Sequence, residues 1–344
     1  RPRHRLSQWT DGIASPRAND PEVMLMTETT AIRVRNQTRR SMIQLAGGSA
    51  VAGALASCGI SLRDGASGPD RARPPEDAWS GLTKPGPNRM QAIVPATDLA
   101  VGPNRFTLGI LQFPDGATEP QRLPDADLRL QFFFPIEPQA AKVGQTITPT
   151  YRWVDMKGKG LYVASVEFDR SGMWGVEVTG TVGGKSLDSA RTRFPVKVKP
   201  DTPGIGSPAP RSKNLTARDV TDIKQIDSGV TPNDMHDLTI AEAIALGKPT
   251  VVIFATPGFC TTQTCAPMVN EMQALKKSLS GSASFVHVEI FKDPSSRTPF
   301  ETVTEWGLTS EPWVFLIDKS GNIAAKFEGP APKEEVEAAI KRLI

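Results

Sequence analysis

Residues 250–267 read TVVIFATPGFCTTQTCAP. Thr250 to Ala255 form an unbroken apolar run, the pattern of a parallel-sheet strand covered on both faces. A polar loop with two cysteines, Cys260 and Cys265, follows. Met268, Met272, Leu275 and Leu279 then recur at helical spacing. On the N-terminal side, Thr239 to Leu246 (TIAEAIAL) reads as a short helix stopped by Gly247. On the C-terminal side, Ser284 to Phe291 (SFVHVEIF) reads as a second buried strand and Phe300 to Trp306 as a helix. Pro312 to Asp318 is a third strand, Lys319 to Asn322 a hairpin turn, Ile323 to Phe327 a fourth strand and Lys333 to Leu343 a closing helix.

This order, with Lys248-Pro249 before the first strand, cysteines opening a helix and PWVFLIDKSGNI downstream, resembles the thioredoxin fold over about residues 205–344. The resemblance implies that Pro312 is a cis-proline facing a redox-active Cys260–Cys265 disulfide. A helix N-terminus carries unpaired N–H groups and positive dipole, which lower a thiol pKa. Cys260 is accordingly the expected attacking thiol and Cys265 its resolving partner, which with Pro312 make up the expected catalytic set. Four residues separate the cysteines instead of the family's two, too many for a disulfide along a regular helix. A helix starting at Pro267 leaves both in the loop; one starting at Thr261 must unwind on oxidation. The buried acid of thioredoxins corresponds to Ile253 and their Trp before the first cysteine to Phe259. That leaves water or Glu289 to carry the proton.

Cys-Thr-Thr-Gln-x-Cys after Thr-Pro-Gly also resembles the bacterioferritin-comigratory peroxiredoxins, which share the four-residue gap. Their activating Thr is Pro257 here, with Thr256 one place further off, and their arginine is replaced by Pro312, so little polarises a peroxide O–O bond. Copper handling is a third reading, since two thiolates bind Cu(I) linearly. The copper chaperones of cytochrome oxidase share the fold but use a three-residue gap and a distant histidine. Here His287 reads as a packed strand residue and His236 precedes the Thr239–Leu246 helix. A structural disulfide, common in exported proteins, is the alternative without chemistry.

Residues 200–212, rich in Pro and Gly, form a linker between domain 213–344 and an earlier segment, 89–199. In that segment period-two runs alternate with turns such as Pro114-Asp115-Gly116 and Asp169-Arg170-Ser171-Gly172. The runs include Phe106/Leu108/Ile110/Leu111, Leu128/Leu130/Phe132/Phe134, Leu161/Val163/Ser165/Val166/Phe168, Trp174/Val176/Val178 and Phe194/Val196/Val198. They argue for an all-β sandwich. Asp-x-x-Gly followed by x-Trp-x-Val resembles immunoglobulin-like domains of secreted bacterial proteins, which implies a spacer or docking module. Trp174 reads as a core plug, and Met156 and Met173, without histidine partners, as packing rather than copper ligands.

Residues 1–57 hold eight Arg and no Lys, so the net charge of +3 belongs to this leader and the rest is close to neutral. No nucleic-acid partner is expected. Arg33, Arg35, Arg39 and Arg40 precede a charge-free stretch from Ser41 to Ser57, which suits a signal peptide. Leu55-Ala56-Ser57-Cys58 resembles the bacterial lipobox, whose cysteine is lipidated, making Cys58 the expected anchor. Thr38-Arg39-Arg40-Ser41-Met42-Ile43 resembles a twin-arginine export signal. Residues 58–88 read as a flexible tether. Three cysteines exclude a disulfide-framework scaffold, and three histidines argue against a His-rich metal site. The expected protein is multidomain: an all-β immunoglobulin-like sandwich, then an α/β thioredoxin-like domain. It exchanges disulfides with exported proteins and a membrane redox partner, extracytoplasmically, with neither diffusible cofactor nor metal.

Overall fold

The computed structural model describes residues 90–344 except 114–118, 135–140, 143–145, 154–156, 261–262, 280 and 294. The leader, Cys58, the 58–88 tether, the turn at Pro114 and Met156 lie outside the described residues. No helix among the described residues is long and apolar enough to cross a membrane.

Among the described residues the first half contributes ten strands: β1 (Met90–Ile93), β2 (Gly102–Gln112), β3 (Gln121–Arg122), β4 (Asp127–Phe134), β5 (Ala141–Lys142), β6 (Thr150–Arg152), β7 (Leu161–Phe168), β8 (Gly172–Val182), β9 (Lys185–Ser186) and β10 (Ala190–Val196). They form two antiparallel sheets, β1-β2-β7-β6 with β3 beside β2, and β10-β8-β4-β5 with β9 beside β8. Alternation puts every second side chain on one face, and those faces share a single core. Phe106, Leu108 and Phe168 come from one sheet, and Leu130, Trp174 and Val176 from the other. Trp174 is enclosed by Phe134 and Phe168, its indole N–H donating to the Arg170 carbonyl at 3.0 Å. Two runs differ from the sequence pattern. On β7 the buried set is Tyr162, Ala164, Val166 and Phe168, while Leu161 and Val163 are only half-buried. Strand β10 stops at Val196, leaving Val198 71% exposed, because the chain turns there toward the second half.

In the second half, α1 (Ile240–Ala245) starts at Thr239, whose hydroxyl caps the Glu242 N–H while Glu242 reaches back to the Thr239 N–H. Then come β11 (Thr250–Ala255), α2 (Cys265–Leu279), β12 (Ser284–Glu289), a short hairpin of β13 (Phe291–Asp293) and β14 (Thr298–Pro299), α3 (Glu301–Glu305), β15 (Trp313–Ile317), β16 (Ile323–Glu328) and α4 (Lys333–Ile340). The sheet order is β12-β11-β15-β16, with β12 parallel to β11 and the other pairs antiparallel. Val251, Ile253 and Ala255 share one apolar cluster with residues of α2 and α4. Val252 and Phe254 share another with α1 and Trp306. The uninterrupted apolar run of β11 is therefore the signature of a strand with helices on both sides. The hairpin was not foreseen; its polar residues 292–299 carry no alternation.

The 200–212 segment is not a free span. Gly206 N–H donates to Ile323 O (2.7 Å), Ile323 N–H to Ser207 O (2.9 Å) and Ala209 N–H to Gly321 O (2.9 Å), laying the chain along the start of β16. The prolines lack an N–H, but the residues between them supply the donors. At its start, buried Asp98 accepts from Thr202 Oγ1 (2.6 Å), Lys197 Nζ (3.1 Å) and Lys326 Nζ (3.0 Å), joining both halves of the chain. Arg105 of β2 makes a second joint. Its guanidinium grips the Glu335 carboxylate of α4 at 2.8 and 2.9 Å and donates to the carbonyls of Glu328 and Pro330. Both side chains are largely buried, at 11% and 15% exposure. Removing one partner strands the other charge away from water. We predict that Arg105→Ala lowers unfolding free energy by about 3–5 kcal/mol in denaturant titrations, and a loss below about 1 kcal/mol contradicts this joint.

Candidate active site

Cys260 lies in the loop after β11, and Cys265 is the first residue of α2. The two are joined as a disulfide with Cα atoms 6.0 Å apart, inside the range such a bond spans. The helix thus begins between the two starts the sequence allowed. Because only Cys265 is helical, the loop folds back, and Gln263 donates its N–H to the Cys260 carbonyl (3.2 Å). Gln263 sits in the left-handed region, φ 59°, and its side-chain oxygen accepts from Lys159 of the first half at 2.9 Å. The turn before Cys260 is pinned as well. Gly258 N–H donates to Ser228 Oγ at 2.9 Å, and a Cβ on Gly258 would meet the Ser228 carbonyl oxygen at 2.5 Å.

The two sulfurs differ in access. Cys260 is half-buried beside the exposed Phe259, whereas Cys265 is fully buried. A partner thiol can therefore approach Cys260 and not Cys265. The Glu311–Pro312 peptide is cis. Glu311 places a carboxylate oxygen 3.7 Å from Cys265 Sγ. Burial pushes the Glu311 carboxyl up to about 7; Arg297, 3.8 Å away, works against the rise and Glu289 adds to it. Glu311 is the group sequence reasoning missed: its signal was only that an acid directly precedes Pro312. Glu289, the expected proton carrier, is committed elsewhere. It accepts from Thr256 Oγ1, from Ser228 N–H (2.8 Å) and from Ile290 N–H (2.9 Å).

The structure also unites two histidines the sequence left apart. His287 of β12 and His236 from the segment before α1 lie 3.3 Å apart, both buried, with Asp227 3.1 Å from His236. Burial, reinforced by His236, pushes the His287 imidazole well below its ordinary value, so it is neutral near pH 7. Burial alone would raise Asp227, but hydrogen bonds from His236 and the Asn233 and Gly229 N–H groups, with the influence of His287, bring it down to about 2.

Residues 237–344 match the family model described as a thioredoxin-like domain. Two solved structures are similar over part of the chain. One is a thiol:disulfide interchange protein of the thioredoxin family from Chlorobium tepidum TLS, 19% identical with a TM-score of 0.26, covering 31% of this chain and 85% of that one. The other is StoA from Bacillus subtilis, 18% identical with a TM-score of 0.22, covering 27% and 82%. No curated protein matches the sequence. The C-terminal part of the chain is a thioredoxin-like domain.

The position of Glu311 gives a signed pH prediction. A carboxyl whose folded pKa is raised stabilises the fold below its unfolded value, near 4.5, and loses that contribution as pH rises through about 7. Glu311→Gln is therefore expected to gain stability relative to the parent between pH 5 and pH 8 in paired melts. Its attack of Cys265 on a mixed disulfide should slow by ~10²-fold at neutral pH and lose the inflection near 7. A parent rate profile without that inflection contradicts the role.

Proposed function

We propose that this protein is a thiol–disulfide oxidoreductase acting through Cys260 and Cys265, extracytoplasmic and held to a membrane by lipid on Cys58. The observation that carries the redox reading is the asymmetry of the pair: one approachable sulfur, one buried sulfur, and a carboxyl of near-neutral pKa beside the buried one. A structural disulfide needs no such carboxyl.

From the disulfide form the step balances as follows. A client thiolate attacks Cys260 Sγ, the Cys260–Cys265 bond breaks, and its electron pair leaves on Cys265. Glu311 gives its proton to that thiolate, which also faces the N-terminus of α2. A second client thiolate then attacks the client sulfur of the mixed disulfide and expels Cys260. The client leaves oxidised and the pair reduced. In the reverse direction Glu311 takes the proton from Cys265, whose thiolate resolves the mixed disulfide. Exported proteins are the proposed clients, and a membrane redox partner resets the pair. The two N-terminal sheets are proposed to be an immunoglobulin-like sandwich that spaces or docks the domain.

The second reading, a peroxiredoxin-like thiol peroxidase, draws on Arg297, which lies 3.5 Å from the Phe259 carbonyl next to Cys260. Against it, Arg297 also faces Glu311, and neither Pro257 nor Pro312 has an N–H for a leaving hydroxide. The experiment is Cys265→Ser in the full chain. Mixed disulfides with client proteins should accumulate through Cys260, and peroxide should oxidise Cys260 at the rate of an ordinary thiolate. Peroxide oxidation orders of magnitude faster, with no trapped client, overturns the reading.

A further inference from the structure

We propose that Asp227, His236 and His287 form a buried three-ligand site for one divalent ion of the zinc class, separate from the cysteine pair. His287 comes from the middle of β12, whereas Asp227 and His236 come from the segment that covers it, and all three are buried at 1–3% exposure. Three ligand atoms, Asp227 Oδ2, His236 Nε2 and His287 Nδ1, lie within 4.8 Å of one another. His236 Nε2 is 3.1 Å from the carboxylate oxygen and 3.3 Å from His287 Nδ1. Ligands at about 2.1 Å in a tetrahedral set stand about 3.4 Å apart, so these donors need little movement to share one ion. Two imidazoles and one carboxylate form a ligand set that zinc takes, as Fe2+ also does.

The surroundings orient the donors as outer groups do at metal centres. His287 Nε2–H donates to the Ala255 carbonyl at 3.1 Å, which leaves the Nδ1 lone pair facing the cluster. Asp227 Oδ1 accepts from Gly229 N–H (2.9 Å) and Oδ2 from Asn233 N–H (2.8 Å). The Asn233 amide is oriented by Met235 N–H, which donates to its Oδ1 at 3.0 Å.

One feature favours an ion at this place. Among the described residues, Asp227 forms no ion pair with Lys or Arg, and its carboxylate is 1% exposed. The anion is held by hydrogen bonds alone, and a divalent ion would add the full positive charge they lack. His236 Nδ1 is a buried nitrogen without a hydrogen-bond partner among the described residues, and it stays so with an ion on Nε2. That ring is consequently held by its Nε2 side alone, the side that faces the other two donors. The competing arrangement is a cluster bridged by protons only. In it the Asn233 amide donates to Asp227 Oδ2 (2.8 Å) and His287 Nδ1 (2.7 Å), and the ion must displace the second of these bonds.

The ion would act as a clasp. It would fix the 227–236 segment on β12, and with it Ser228, which holds the turn before Cys260 and the Glu289 carboxylate. Because the site is buried, loading accompanies folding.

The test uses the full chain carrying Cys58→Ser and with its disulfide intact, so that no thiolate is present. It is unfolded with chelator and refolded with Zn2+ or with Co2+. About one equivalent of Zn2+ should survive desalting, with a higher melting temperature than after refolding in chelator. Co2+ should give visible ligand-field bands without a thiolate charge-transfer band. His236→Gln and Asp227→Asn should each drop retained metal to about a tenth of an equivalent or less. Refolded parent protein that retains no Zn2+, or Co2+ bands carrying thiolate character, overturns the proposal. The parent-protein spectra decide the matter even where a variant fails to fold.

Discussion

Cys265 is sealed from solvent, and Glu311 brings a carboxylate oxygen to 3.7 Å from its sulfur. That one approach constrains the rest of the chemistry. A thiolate formed at Cys265 has no water to stabilise it, so its charge must be matched locally by the start of α2 and by a proton from a neighbour. A carboxyl lifted to about 7 supplies such a proton near neutral pH and takes it back on return. An ordinary exposed glutamate would be ionised and could do only half of this.

The fold delivers these groups from distant parts of the chain. Strand β11 ends at Ala255 and releases the Cys260 loop, α2 supplies Cys265, and the approach to β15 supplies Glu311. The loop is braced from two further directions. Ser228 holds Gly258, and Lys159, from the N-terminal half, holds Gln263 between the cysteines. That N-terminal half is itself fastened through Arg105 and Asp98, so the contact at Gln263 rests on a fixed body rather than a tethered one.

Much of this was legible in the residues because it rests on periodicity. The run from Thr250 to Ala255 reads as a strand buried on both faces and Trp174 as a core plug, and the structure has both so. The cysteine pair announced itself by its place before a helical pattern. Glu311 did not, because its role depends on burial against a sulfur 46 residues away, and nothing local marks it. His236 and His287 were equally silent, being 51 positions apart and joined only when the 227–236 segment folds over β12. The 200–212 segment reads as a linker from its prolines and glycines, and what composition does not show is that the residues between the prolines pair with the start of β16.

The proposed function requires that the Cys260–Cys265 bond exists to be exchanged. The reduction potential of that pair, measured in the full chain against a glutathione or dithiothreitol buffer at pH 7, tests it most directly. Exchange with clients requires a value in the range of known oxidoreductases, about −270 to −120 mV. A value below roughly −300 mV would mark a bond kept for stability and would contradict the account.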